Sequence, residues 1–180
     1  MCPHARTGSV SGPLLIVYCG LPGVGKSTVS AYTADQLSAV RLRSDEVRYD
    51  LFDEPEYTAE EMRRTYDELL DRARQRLAAG EDVVVDGTFK EADKREQAAA
   101  IAAETDATVY FVRVTCPPDT VRERLEARTD DASDADLSVY QKHREQFEAI
   151  DREHVVIDNG GSLPTTRSRV DRKLLGTIRE

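Results

Sequence analysis

Tryptophan is absent from this chain, methionine occurs twice, and cysteine and histidine occur three times each. Cys2, Cys19 and Cys116 are odd in number, far apart and without CxxC spacing, which excludes a disulfide framework and a cysteine-based zinc site. His4, His143 and His154 are scattered, and read as structural or exposed side chains rather than ligands. No apolar run approaches the roughly 20 residues a membrane helix requires. Met1 to Gly12 lacks the apolar stretch of a secretion signal, so residues 1–12 are expected to be a flexible N-terminus of a cytoplasmic protein. Lysine is also scarce, at five of the 25 basic residues. With a net charge of −9 and a pI near 4.9, a surface that coats nucleic acid generally is excluded, although a local arginine cluster could still grip phosphates.

What is present is a regular alternation. Leu14 to Gly20 is a short apolar, β-prone run ending in glycine, the mark of a strand buried on both faces. Further strands are expected at Ala39–Ser44, Val83–Asp86, Thr108–Cys116 and His154–Asp158. Helical stretches are expected at Gly25–Leu37, Thr58–Ala79 with Gly80 beyond its end, Lys90–Glu104, Pro118–Arg128, Leu137–Ile150 and Thr165–Ile178. The Asp-rich segment Thr129–Asp136 reads as a break, with Asp130, Asp131, Ser133, Asp134 and Asp136 at a lid tip rather than a metal site. Strands alternating with helices predict one α/β domain over 13–180, a doubly wound five-stranded parallel sheet with ligands beyond the carboxyl ends of the strands.

The sharpest motif lies at the first such end. Gly20-Leu21-Pro22-Gly23-Val24-Gly25-Lys26-Ser27-Thr28 satisfies G-x-x-x-x-G-K-[ST] between a strand and a helix. The glycines let backbone N–H groups turn inward around phosphates, Lys26 reaches the β- and γ-phosphates, and Ser27 ligates Mg²⁺. ATP and Mg²⁺ are therefore the expected cofactors, held by Gly20, Gly23, Val24, Gly25, Lys26, Ser27 and Thr28. An NKxD-type guanine reader is missing near the late strands, which weighs against a GTPase; Asn159-Gly160-Gly161 stands there instead, a segment whose backbone groups could wrap the adenine and which would equally serve a tight turn.

Two further sets of residues point to an acceptor. Asp45 and Arg48 stand three apart on the first turn of a helix after the second strand, hence on one side. A carboxylate there can take the proton of an incoming hydroxyl, and Arg48 can hold an anionic group or steady the transferred phosphoryl. Asp86 ends the third strand as a candidate Mg²⁺ or substrate contact, with Thr88 lining the acceptor pocket and Phe89 equally suited to the core. Arg124 and Arg128, spaced i,i+4, share a helix face that can close over the nucleotide as a catalytic lid; Arg122 fits that role less well.

Together, GLPGVGKST, SDEVR, VVVDGTF and RERLEAR followed by SDAD resemble the AAA-type P-loop predicted-kinase family, related to polynucleotide 5′-hydroxyl kinases, gluconate kinases and zeta-toxin kinases. The resemblance covers Leu14 to Asp158. It implies a sheet in the nucleoside-kinase order, ATP and Mg²⁺ at Lys26 and Ser27, Asp45 as general base, Arg48 as substrate-phosphate contact, and Arg124 and Arg128 as lid arginines. The acceptor it implies is a hydroxyl of a small molecule, with a polynucleotide 5′-hydroxyl as the alternative. A non-catalytic, nucleotide-gated binding module is the reading from another class.

Overall fold

A computed structural model describes residues 11–127 and 133–180, the side chains of 133–136 excepted. Five parallel strands form one sheet: β1 (Leu14–Cys19), β2 (Val40–Arg43), β3 (Val83–Asp86), β4 (Thr108–Thr115) and β5 (His154–Asp158), in the order β2-β3-β1-β4-β5. Their alternation with helices makes each connection a crossover, which is why the sheet is parallel throughout.

The central strand β1 carries an apolar side chain at every position, because both of its faces meet helices. Leu14, Ile16 and Tyr18 pack on one side with α1 (Lys26–Leu37) and with α7 (Leu163–Val170), which widens through a π turn at Asp171–Leu175 into α8 (Gly176–Arg179). Leu15, Val17 and Cys19 pack on the other with α3 (Ala59–Ala78) and α4 (Ala92–Glu104). The α3 stripe Tyr66, Leu69, Leu70, Ala73 and Leu77 is buried as its 3.6-residue period requires. Its start is fixed by Thr58, whose hydroxyl accepts from Glu61 N–H at 3.2 Å, while Glu61 reaches back to the N–H groups of Glu56 and Tyr57.

The remaining helices are α2 (Ser44–Leu51), α5 (Pro118–Glu126) and α6 (Ser133–Gln146). The expected break over 129–136 is corrected in part: α6 begins at Ser133, four residues earlier than expected, and ends at Gln146 rather than Ile150. Asp134 and Asp136 therefore lie within this helix instead of interrupting it. Arg128, Asp130 and Asp131, and most of the N-terminal stretch 1–12, lie outside the described residues. No helix among the described residues is long and apolar enough to cross a membrane.

Candidate nucleotide and acceptor site

The carboxyl ends of β1, β2 and β3 meet the N-terminus of α1, and the phosphate loop fills the junction. Gly20 N–H donates to the Thr88 carbonyl at 3.1 Å, so Thr88 fastens the loop through its backbone. Gly25 has φ 86°, and a Cβ there would stand 2.2 Å from Asn159 Nδ2, so both its conformation and its crowding demand glycine. Gly23 lies against Val121 and Leu125 of α5, and Val24 is buried. Lys26 Nζ lies over the loop, donating to the Leu21 carbonyl at 2.9 Å. Burial pulls its pKa down, while the Asp86 and Asp45 carboxylates oppose that fall. Both acids are therefore within electrostatic reach of the lysine. Thr28 is exposed on the first turn of α1.

Two arginines that the sequence reading passed over organise the metal-ligand candidates. Arg41 on β2 donates through Nη2 to the Ser27 carbonyl at 2.8 Å and pairs with Asp86 Oδ2 at 3.3 Å. Its Nε donates to Ser30 Oγ at 3.0 Å, and that hydroxyl donates to Asp86 Oδ2 at 2.7 Å. Arg43, two residues on and so on the same face of β2, donates to Ser27 Oγ at 3.2 Å and to Glu46 at 3.2 Å. The available signal was the alternation Arg41-Leu42-Arg43 in an edge strand leading straight to Asp45. Ser27 and Asp86 are thus brought together by shared neighbours and offer hard oxygen donors, the chemistry Mg²⁺ selects. No group of three or more His, Cys, Asp or Glu gathers into a metal site among the described residues.

On the acceptor side, Arg48 is buried at 4% exposure, and its Nη1 donates to Asp45 Oδ1 at 3.1 Å. Nη2 meets Met62 Sδ, and Tyr57 covers the guanidinium with its ring centroid 4.7 Å away. Asp45 itself is 67% exposed, so the pair presents a carboxylate to solvent from a fixed cation. Phe89 is core: it is buried and stacks edge-on with Tyr66 at 5.0 Å. His143 of α6 has its Nδ1 buried and unpartnered. Burial first, then the charges of Lys90, Lys26, Lys142 and Arg48, push its pKa down to about 4.

Asn159 joins distant segments. Its Nδ2 donates to the Val24 carbonyl at 2.9 Å and its Oδ1 accepts from Thr166 Oγ1 at 2.8 Å. Its N–H donates to the Thr115 carbonyl, and its own carbonyl accepts from Arg124 Nη2 at 2.7 Å. These bonds brace the phosphate loop and Arg124. Arg124 Nη1 in turn approaches Cys116 Sγ at 3.5 Å and lies 3.6 Å from where a Gly25 Cβ would be, which puts the guanidinium above the phosphate loop. Arg122 is exposed on the other side of α5.

Comparison with known proteins agrees with this geometry. The family described as an AAA domain matches residues 15–150. The chain belongs to this AAA-domain family. Among curated proteins, the uncharacterized proteins Rv2004c of Mycobacterium tuberculosis and Mb2027c of Mycobacterium bovis are 31% identical over 132 residues. That match takes in 67% of this chain but 26% of each relative, so the P-loop kinase chain spans about a quarter of their length. Among solved structures, a gluconokinase from Sinorhizobium meliloti superposes with a TM-score of 0.67 at 24% identity, covering 93% of both chains. A sugar kinase from Janibacter gives 0.70 at 18%, covering 90% of this chain and 94% of that one. The Mycobacterium tuberculosis APS kinase CysC in complex with AMPPNP and APS gives 0.67 at 18%, covering 89% and 96%. These likenesses establish the fold: a five-stranded parallel P-loop kinase sheet.

Proposed function

We propose that this P-loop kinase transfers the γ-phosphate of ATP to a hydroxyl of a small molecule. The observation that carries the reading is the Asp45–Arg48 pair, an exposed carboxylate fixed by a buried guanidinium at 3.1 Å within electrostatic reach of Lys26. The loop from Gly20 to Thr28 holds the phosphates through its N–H groups and the N-terminus of α1. Mg²⁺, bound by Ser27 and Asp86 together with phosphate oxygens, would supply charge neutralisation of the triphosphate.

Asp45 accepts the proton of the acceptor hydroxyl as its oxygen forms a bond to the γ-phosphorus. The bond from that phosphorus to the β,γ-bridging oxygen breaks, and its electron pair leaves on ADP. Lys26 and Arg124 face the charge that spreads over the phosphoryl oxygens, where a fixed cation lowers the barrier. Asp86, paired with Arg41 at 3.3 Å, would hold the cation without adding net negative charge beside the phosphates.

The test is transfer of label from γ-labelled ATP to a panel of sugars, sugar acids, sugar phosphates, nucleosides and 5′-hydroxyl oligonucleotides. Lys26→Ala is expected to abolish transfer. Asp45→Asn should lower it by about 10²- to 10⁴-fold while ATP still binds. Full turnover in Asp45→Asn, or tight nucleotide binding with no acceptor-dependent ATP loss, would defeat the phosphotransferase reading in favour of a nucleotide-gated module.

A further inference from the structure

A cavity of about 180 Å³ lies between the start of the phosphate loop, the end of β4 and the last two turns of α6. Gly20 and Leu21 line it from the loop, Arg113 from β4, and Tyr140, Arg144 and Phe147 from α6 and the residue that follows it. The chain carries a net charge of −9, yet two arginines and no carboxylate line this space. Pockets that enclose a whole small molecule start at roughly 300 Å³, so this one has room for a single chemical group.

The polar side chains of the lining are held in place but not satisfied. The Arg113 guanidinium is half-buried and lies 5.2 Å from the centroid of the Phe147 ring. Phe147 also lies 5.7 Å from the guanidinium of Arg95, which is buried and donates to the carbonyls of Phe89, Glu148 and Ala149. Stacking therefore positions Arg113 without using its five N–H donors. Tyr140 and Arg144, spaced i,i+4, share one face of α6. Tyr140 is 6% exposed, and a tyrosine so buried ordinarily finds a partner for its hydroxyl. Among the described residues, no hydrogen bond or ion pair meets that hydroxyl or either guanidinium.

We propose that Arg113, Tyr140 and Arg144 form a binding site for one oxyanion group, a phosphate or a carboxylate. The two guanidinium forks match the oxygens of such a group, and the buried hydroxyl adds a third donor. Without an anion the two cations face each other's charge unrelieved, and with one bound, α6 is tied to β4. The site is distinct from the Asp45–Arg48 pair. In the strand order β2-β3-β1-β4-β5, β4 stands three spacings from β2, which is about 14 Å. None of the three side chains enters the proposed transfer, so the site does not rest on the kinase reading.

The test is calorimetric titration of the chain with inorganic phosphate and with acetate, after saturation with Mg²⁺ and AMPPNP so that the phosphate loop is already filled. One probe or the other should bind at a single site per chain, and the stronger of the two tells phosphate from carboxylate. Tyr140→Phe removes one hydroxyl and keeps the buried ring; it should weaken that binding by about 10-fold. Arg113→Gln and Arg144→Gln should each weaken it by about 10- to 100-fold. Arg122→Gln, an exposed arginine on the other side of α5, should leave it unchanged.

Thermal melts supply the second readout. The probe that binds should raise the melting temperature of the parent and not that of Arg144→Gln. Without the probe, Tyr140→Phe and Arg144→Gln should melt with the parent and hold AMPPNP equally well, since no bond within the protein is lost. Absence of saturable binding by either probe overturns the proposal, as does an affinity that survives all three substitutions or falls equally in Arg122→Gln. If phosphate binds only the nucleotide-free chain, and the three variants lose AMPPNP instead, the cavity belongs to the nucleotide and the separate site is refuted.

Discussion

Asn159→Ala isolates the brace between β5 and the phosphate loop. The residue is 7% exposed, and truncation removes two side-chain hydrogen bonds, to the Val24 carbonyl and from Thr166, while the backbone bonds to Thr115 and Arg124 remain. Two bonds at a net 0.5–1.5 kcal/mol each, plus a carbonyl and a hydroxyl left unpaired in the interior, come to about 2–5 kcal/mol. For a chain of this length that is a fall in melting temperature of roughly 5–15 °C. Thr166→Val removes only the second bond and should cost about 1–3 kcal/mol. Because the two share that bond, the double variant should fall short of the summed costs by about 1 kcal/mol. Thermal melts of the three variants, with and without Mg·ADP, provide the assay. Mg·ADP should raise the Asn159→Ala melting point less than the parent's, since the Val24 carbonyl has lost its anchor. A melting temperature within about 2 °C of the parent's, or strict additivity with Thr166→Val, would refute the brace and return Asn159 to the role of a ligand contact.

Gly25→Ala places a methyl group 2.2 Å from Asn159 Nδ2 at a φ of 86°; nucleotide affinity by calorimetry should fall by about 10-fold or more, and unchanged affinity would show that loop and brace yield easily. The acid limb of the stability profile should carry His143: its pKa is about 4 in the folded chain against an ordinary 6.5, so between those values the unfolded chain takes up a proton that the folded chain refuses. Stability is then intact above pH 6.5, declines on acidification through the window, and loses this dependence below about pH 4. The groups bearing on the ring are Lys90, Lys26, Lys142 and Arg48, and His143→Gln should flatten the slope of the urea midpoint between neutral pH and about pH 5; an unchanged slope would exclude the histidine as its source.

How much was legible in the sequence differs from element to element for physical reasons. β1, β3 and β5 fall within a residue of expectation because short branched apolar runs bounded by Gly or Asp have few alternatives. The phosphate loop was equally plain, since its glycines answer a local backbone demand. Asp45 and Arg48 were brought together as their i,i+3 spacing requires. The bonds of Asn159 to Val24 and Thr166, 135 and seven residues away, were not legible, because no local pattern announces a brace between distant segments. Arg41 and Arg43 were overlooked because a charged residue in an edge strand ordinarily faces water, whereas here the start of α1 stands beside that strand. The bond from Lys90 to Gln146 was overlooked for a related reason: it depends on where α6 returns in space. The start of α6 was displaced because an acidic cluster was taken as a breaker when it suits a first turn.

The two arginines of β2 have a further consequence for how the chain tolerates error. An edge strand is ordinarily the part of a sheet most free to slip, and a slip of one residue turns every side chain to the opposite face. In β2 such a slip would turn Arg41 and Arg43 away from Ser27 and Asp86 and send Leu42 toward them. Misalignment at this edge would therefore be felt first at the proposed phosphate site, well before it loosened the fold. For an engineer recombining the acceptor half of this chain with that of a relative, the crossover has to preserve the phase of Arg41-Leu42-Arg43 against β3, or the graft will fold and fail to bind.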